Sequence, residues 1–318
     1  MLTQQQVDTF ERDGYLVVNE LVSITEVIEP LKREYTSLLS GLCKLWNREG
    51  ALPAAAAEGS FSDMIMATVD AGIDYFQPID ISLPPGNIDA QTPFHAGPAV
   101  FDLMTHEPLL DAVESLLGPE LTSNPIQHVR VKPPHVALKG AEVRPHIVAT
   151  DWHQDRGVTH ADADESRMVT VWVAVTDATE DNGCLQVIPG SHKQSMLTHC
   201  PASGQLRIPT EQFAVASARS LPVPAGGAVL FHPNTIHSSL DNTSNAIRWS
   251  FDLRYNVTGD STGRAFFPSF VARSRTAPDS ELRSAAVWRQ SWEDARDRLA
   301  DDAPVAIHRW DGSSELCA

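Results

Sequence analysis

The chain has 318 residues, 42% of them hydrophobic and 20% charged, with a mean hydropathy of -0.19 and a formal net charge of -17. That length suits one large domain or two small ones and is ample to bury a core. The acidity argues against nucleic acid and anionic membrane as partners, since phosphate binding needs clustered Lys and Arg, and it disfavours a polyanionic substrate.

No run of about 18 apolar residues is present to span a bilayer. The start, Met1 to Gln6, lacks the basic and apolar regions of a secretory signal, so a cytoplasmic protein is expected. The four cysteines, Cys43, Cys184, Cys200 and Cys317, form no CxxC pair and no regular framework, which reads as four free thiols in a reducing compartment.

Thr3 to Asp13 is predicted as a short helix, with Thr3 as N-cap, Gln6 completing a capping box and Gly14 ending it. Tyr15 to Val18 then reads as a strand. Ser23 followed by Glu26 predicts a second helix running towards Leu42. Residues 50–62 are Ala-, Gly- and Ser-rich and are predicted as loop. Residues 78–98 carry five prolines and read as an irregular excursion of the kind that often serves function. Thr105 to Leu117 is predicted helical from the spacing of Leu109, Leu110, Val113, Leu116 and Leu117, with Gly118-Pro119 as its stop.

From about residue 121 the texture becomes β-rich. Gln127–Lys132, Met168–Val175, Leu185–Ile188, Gly227–Phe231 and Ile247–Tyr255 are predicted strands separated by Gly, Pro, Asn and Asp, which implies a sandwich or barrel. Residues 282–300 return to helical, charged sequence. The expected layout is a single domain over 1–318: an all-β core at about 121–256 with helical parts at about 1–120 and 280–300.

Two stretches carry candidate chemistry. In Trp152-His153-Gln154-Asp155, an imidazole and a carboxylate two apart point to one face of a strand and can grip one metal. Taken alone, such a pair also fits a surface turn. The second stretch runs from Leu230 to His237 after the Gly226-Gly227 turn. Two His plus one carboxylate make the facial triad of non-haem Fe(II) oxygenases, which leaves open positions on the metal. Arg248 follows His237 by eleven residues in an otherwise apolar strand. An arginine there is costly to bury without an anionic partner. A bidentate carboxylate is the natural one, from a cosubstrate such as 2-oxoglutarate or from the protein itself.

Four blocks, in order, resemble the phytanoyl-CoA dioxygenase family of cupin-fold oxygenases. They are Phe10 to Val18; His153-Gln154-Asp155; Asp181 to Lys193, which contains Asn-Gly-Cys-Leu and Ile-Pro-Gly-Ser-His; and Phe231-His232-Pro233 through His237-Ser238-Ser239 to Asn242, Ser244 and Arg248. The resemblance implies a double-stranded β-helix (a cupin-like jelly roll) and an Fe(II)- and 2-oxoglutarate-dependent dioxygenase that uses O2. It places His153, Asp155 and His237 as iron ligands and Arg248 on the far carboxylate of 2-oxoglutarate. Ser239 would assist that contact, Trp172 would line the cosubstrate pocket, and Gln127 would serve the cosubstrate's other end. Halogenating relatives carry Ala or Gly at the metal carboxylate. Asp155 fills that position, so hydroxylation or a related oxidation (desaturation, cyclisation) is expected. His232 and His192 read as structural; His128, His135, His146 and His160 stay open between pocket and solvent. The expected substrate is a small organic molecule, with secondary metabolism favoured over an acyl-CoA, and residues 60–100, 144–146, 156–167 and 256–280 are expected to shape its pocket. The competing reading is a metal-binding cupin that is not an oxygenase.

Overall fold

The computed structural model describes residues 1–134, 147–202, 204–302 and 305–317. Helix α1 (Gln4–Asp13) has the expected capping box: Thr3 accepts from the Gln6 amide, and the Gln6 side chain accepts from that of Thr3. Gly14 takes the left-handed conformation that stops the helix, at φ 80°. A Cβ there would also meet the His192 ring and Thr235, so the position demands glycine twice over. Strand β1 (Tyr15–Val18) follows. Ser23 caps a π turn over Ile24–Ile28 that leads into the 20-residue helix α2 (Glu29–Arg48). Helices α3 (Phe61–Asp70), α4 (Phe76–Ile79), α5 (Pro98–Met104) and α6 (Glu107–Leu117) complete the N-terminal half. Helix α3 starts inside the predicted loop, because Ser60 and Asp63 form a capping box that the Ala-rich composition masked.

The β core comprises β2 (Glu120–Lys132), β3 (Met168–Ala174), β4 (Leu185–Val187), β5 (Cys200–Ala202), β6 (Gln205–Arg207), β7 (Arg219–Leu221), β8 (Ala228–Phe231), β9 (His237–Ser239), β10 (Arg248–Val257) and β11 (Phe270–Ser274); helix α7 (Ala285–Leu299) closes the order. The strands form an antiparallel six-stranded sheet in the order β1-β8-β3-β10-β2-β11, a three-stranded sheet β7-β4-β9, and the hairpin β5-β6. This is the predicted cupin-like jelly-roll core with flanking helices.

Strand β10 separates two interiors. Its odd-numbered residues Trp249, Phe251, Leu253 and Tyr255 pack in the large core with Leu31, Tyr35 and Leu39 of α2 and Trp288 and Trp292 of α7. The gap between the two sheets holds a smaller cluster that includes Trp172, Leu185, Val187, Val229 and Phe231. The even-numbered residues of β10, Arg248, Ser250, Asp252, Arg254 and Asn256, have the opposite parity and point towards the second sheet.

The expectation of four free thiols is corrected. Cys200 of β5 and Cys317 form a disulfide across 117 residues, while Cys43 and Cys184 stay free and buried. The C-terminal segment brings them together by doubling back over the β core. Val305 bridges Gly86, His160 contacts the Ala306 carbonyl, and Arg309 pairs with Asp164. No helix among the described residues is long and apolar enough to cross a membrane.

Candidate active site

His153 and His237 are joined backbone to backbone in an isolated antiparallel bridge, which places their rings 4.1 Å apart between centroids. Asp155 opens a tight turn (Asp155–Val158), so the His-x-Asp pair does not lie in a regular strand as expected. The turn nevertheless aims the carboxylate back at the same point. Asp155 Oδ1 lies 3.6 Å from His153 Nε2 and 3.9 Å from His237 Nε2, and one donor atom from each of the three falls within 4.8 Å of the others.

Each imidazole is fixed by its other nitrogen. His153 Nδ1 donates to the Asp151 carbonyl at 2.8 Å and His237 Nδ1 to the Thr235 carbonyl at 2.9 Å, since a carbonyl can only accept. That assigns the tautomer and leaves both Nε2 lone pairs facing Asp155, the orientation a metal requires. Burial, then the proximity of His153, lowers the His237 pKa to about 4, which keeps the ring neutral.

Burial alone would raise the Asp155 pKa. Arg254 foremost, with the two histidines, outweighs it and holds the carboxyl well below the usual carboxylate range. Arg254 donates to Asp155 Oδ1 and Thr170 to Oδ2. Arg254 and Thr170 are direct cross-strand partners on β10 and β3, so sheet register alone delivers both donors to one carboxylate. Two imidazoles and an oriented carboxylate suit a facially bound Fe(II).

The triad lines a cavity whose walls also include Trp172, Ser238, Ser239 and Arg248. Arg248 is buried. Its Nη1 donates to Ser250 Oγ at 2.6 Å, its guanidinium lies 5.4 Å from the Trp172 ring centroid, and its Nε has no hydrogen-bond partner. Burial lowers its pKa to about 10, and no ion pair ties it to a carboxylate among the described residues. The internal protein partner left open by the sequence is therefore not seen. Ser239 lines the cavity and accepts from Lys132 Nζ at 2.7 Å and from the Thr150 amide at 2.8 Å. Lys132 sits directly across from Arg248 in the sheet, and burial first, then Arg248, pushes its pKa well below the usual lysine range.

Gln127 is the predicted site residue that the structure does not bring in. It is buried, but Ile126, His128 and Arg130 are the β2 residues that reach a cavity; Gln127 has the other parity. His232 accepts from the Asn234 amide and His192 contacts the Glu11 carbonyl, and neither is among the three convergent metal donors. His128 pairs with Asp80. His135 and His146 lie outside the described residues.

With this geometry in place, the family profile described as "Phytanoyl-CoA dioxygenase (PhyH)" matches residues 10–250. The chain belongs to the phytanoyl-CoA dioxygenase family. Among its relatives, a "Phytanoyl-CoA dioxygenase domain-containing protein 1" of Danio rerio is 29% identical over 275 residues, 78% of this chain and 88% of the relative. An "L-proline trans-4-hydroxylase" of Streptomyces griseoviridis is 30% identical over 146 residues, 40% of this chain and 53% of the relative. Among solved structures, EvdO2 from Micromonospora carbonacea var. aurantiaca, complexed with 2-oxoglutarate, superposes with a TM-score of 0.53 at 20% identity, covering 81% of this chain and 92% of that one; this likeness speaks to the fold. Family membership bears out the reaction class expected from the sequence, a 2-oxoglutarate-dependent non-haem iron dioxygenase, and the His-Asp-His cluster is in place for the metal.

Sequence reasoning missed Arg254, Thr170 and Lys132. The signal for Arg254 was available: it shares the parity of Arg248 in β10, and a second buried arginine on that face also needs an anion.

Proposed function

We propose that this family member oxidises a C–H bond of a small organic molecule, most simply by hydroxylation, with Fe(II) held by His153, Asp155 and His237 and 2-oxoglutarate held by Arg248. The observation that carries this reading is Arg248: a buried guanidinium without a carboxylate partner among the described residues, in the same cavity as three convergent metal donors. A cupin that only binds metal has no use for that arginine.

Iron with 2-oxoglutarate and O2 supplies the oxidising power, while the protein positions and excludes water. Arg248 grips the distal carboxylate of the cosubstrate and Trp172 supports the guanidinium from its ring face. Lys132 holds Ser239 at the cavity wall. Arg254 and Thr170 keep Asp155 ionised and fixed. The name of the Streptomyces griseoviridis relative supports hydroxylation of a small solute as the reaction type.

The test is succinate formation from 2-oxoglutarate with Fe(II) and ascorbate, beside metal titration of Asp155→Ala. Wild type should produce succinate and the variant below about 1% of it, a larger loss than the 10–100-fold that an outer supporting residue costs. Absence of succinate from the wild type, together with unchanged metal binding in Asp155→Ala, would sink the reading.

A further inference from the structure

A second cavity opens on the His153 side of the site and shares Arg130, Thr150, His153 and Arg254 with the first. Its apolar walls come from distant parts of the chain, among them Ile126 of β2, Val158 beyond the triad turn, Leu206 of β6 and Ile307 of the C-terminal segment. Its polar lining is basic, and none of its described lining residues is a carboxylate.

The three arginines differ in how they are neutralised. Arg254 pairs with Asp155, and Arg130 pairs with Asp252 at 2.8 Å. Arg264 has no such relief. It sits in the loop between β10 and β11, it is 4% exposed, and its only side-chain partner among the described residues is the Val158 carbonyl, at 2.8 Å from Nη2. Its Nε is buried and without a partner. The fold keeps this loop in place by close packing: Gly263, at φ +70°, has room for no Cβ against Thr159 and Ala163. A buried, unmatched guanidinium is costly, so its retention at a cavity wall needs a compensating anion.

We propose that this cavity binds the substrate through a carboxylate on Arg264, with the substrate's apolar body lying along Ile126, Leu206 and Ile307 and a C–H bond presented to the His153 face. This rests on the oxygenase reading of the neighbouring site. A carboxylate matches the planar fork of one guanidinium in a bidentate pair. One unmatched arginine within apolar walls suits a singly charged acid rather than a polyphosphate, in keeping with the chain's net charge of -17. Burial, and then Arg254, lowers the Arg264 pKa to about 9, the sign of a cation that lacks its counter-charge. The inference also gives a role to a stretch beyond the family match, which ends at residue 250.

The experiment is calorimetric titration, under anaerobic conditions with Fe(II) and saturating 2-oxoglutarate, of octanoate, 3-phenylpropionate and indole-3-propionate, each beside its primary amide, with phenyl phosphate as a second anion. At least one carboxylate should bind saturably and at least ten-fold tighter than its amide and than phenyl phosphate. Arg264→Gln should erase that preference, and Arg264→Lys should keep part of it. Equal binding of acid and amide, preference for the phosphate, a preference that survives Arg264→Gln, or no saturable binding by any of the three acids overturns the proposal. The wild-type comparison holds whatever the variants do to folding. The visible absorption of the Fe(II)–2-oxoglutarate complex, recorded on the same samples, separates the two claims. Its absence counts against the oxygenase reading, and the titrations repeated without metal and cosubstrate then decide the role of Arg264.

Discussion

The two faces of β10 are buried almost equally, yet they are built on opposite principles. Trp249, Phe251, Leu253 and Tyr255 face the helices, and their burial is favourable in itself. Arg248, Asp252 and Arg254, one residue out of step, face the gap between the sheets, where each charge is a cost until an opposite charge meets it. Asp252 is met by Arg130 and Arg254 by Asp155, but Arg248 has no carboxylate partner among the described residues. Burial therefore does not distinguish residues that hold the fold from residues that line the site.

This contrast can be broken by paired substitutions. Trp249 is fully buried, stacks on Phe61 at 4.4 Å between centroids and meets Tyr35 edge-on, so Trp249→Ala should lose about 3–5 kcal/mol of stability. Urea denaturation measures that loss, and any active fraction should retain its 2-oxoglutarate affinity. Arg248→Met should do the reverse. Affinity for 2-oxoglutarate should fall by about 2–5 kcal/mol, the cost of truncating one member of a buried charge pair. The midpoint of metal-free protein should stay level or rise, because an unmatched buried charge is gone. If Arg248→Met destabilises the metal-free protein as much as Trp249→Ala, the two faces are not separable and Arg248 is a structural residue.

How much of this was legible beforehand varies with the range of the interaction. His153, Asp155, His237 and Arg248 stood out because each is a scarce residue type at a fixed spacing inside a matching block. The long helices and six of the strands were readable from periodicity, which is local. Gln127 failed on parity: a strand residue one place off points to the other side, and nothing in the sequence fixed which side of β2 met the site. The Cys200–Cys317 link failed for a different reason. It depends on where the segment after α7 returns, and a sequence separation of 117 carries no local sign of that. Arg264 lies beyond the matching blocks, and only the folded loop shows that it is buried and unmatched.

The smallest effect tests the finest part of the contrast, the cross-strand clamp on Asp155. Thr170→Val keeps the β-branched shape that suits β3 and removes only the hydroxyl that donates to Asp155 Oδ2. Arg254 still holds Oδ1, so the carboxylate stays ionised but gains freedom to rotate. Loss of such a supporting donor costs about 10–100-fold in metal affinity. We expect the lower end, because one of the two clamps survives, with Thr170→Ser restoring wild-type affinity. Titration with Fe(II) or Co(II) reads the effect directly, and saturating metal should recover activity in the valine variant. Unchanged affinity in Thr170→Val would mean that Arg254 alone orients the carboxylate and that the β3 side of the clamp serves only the sheet.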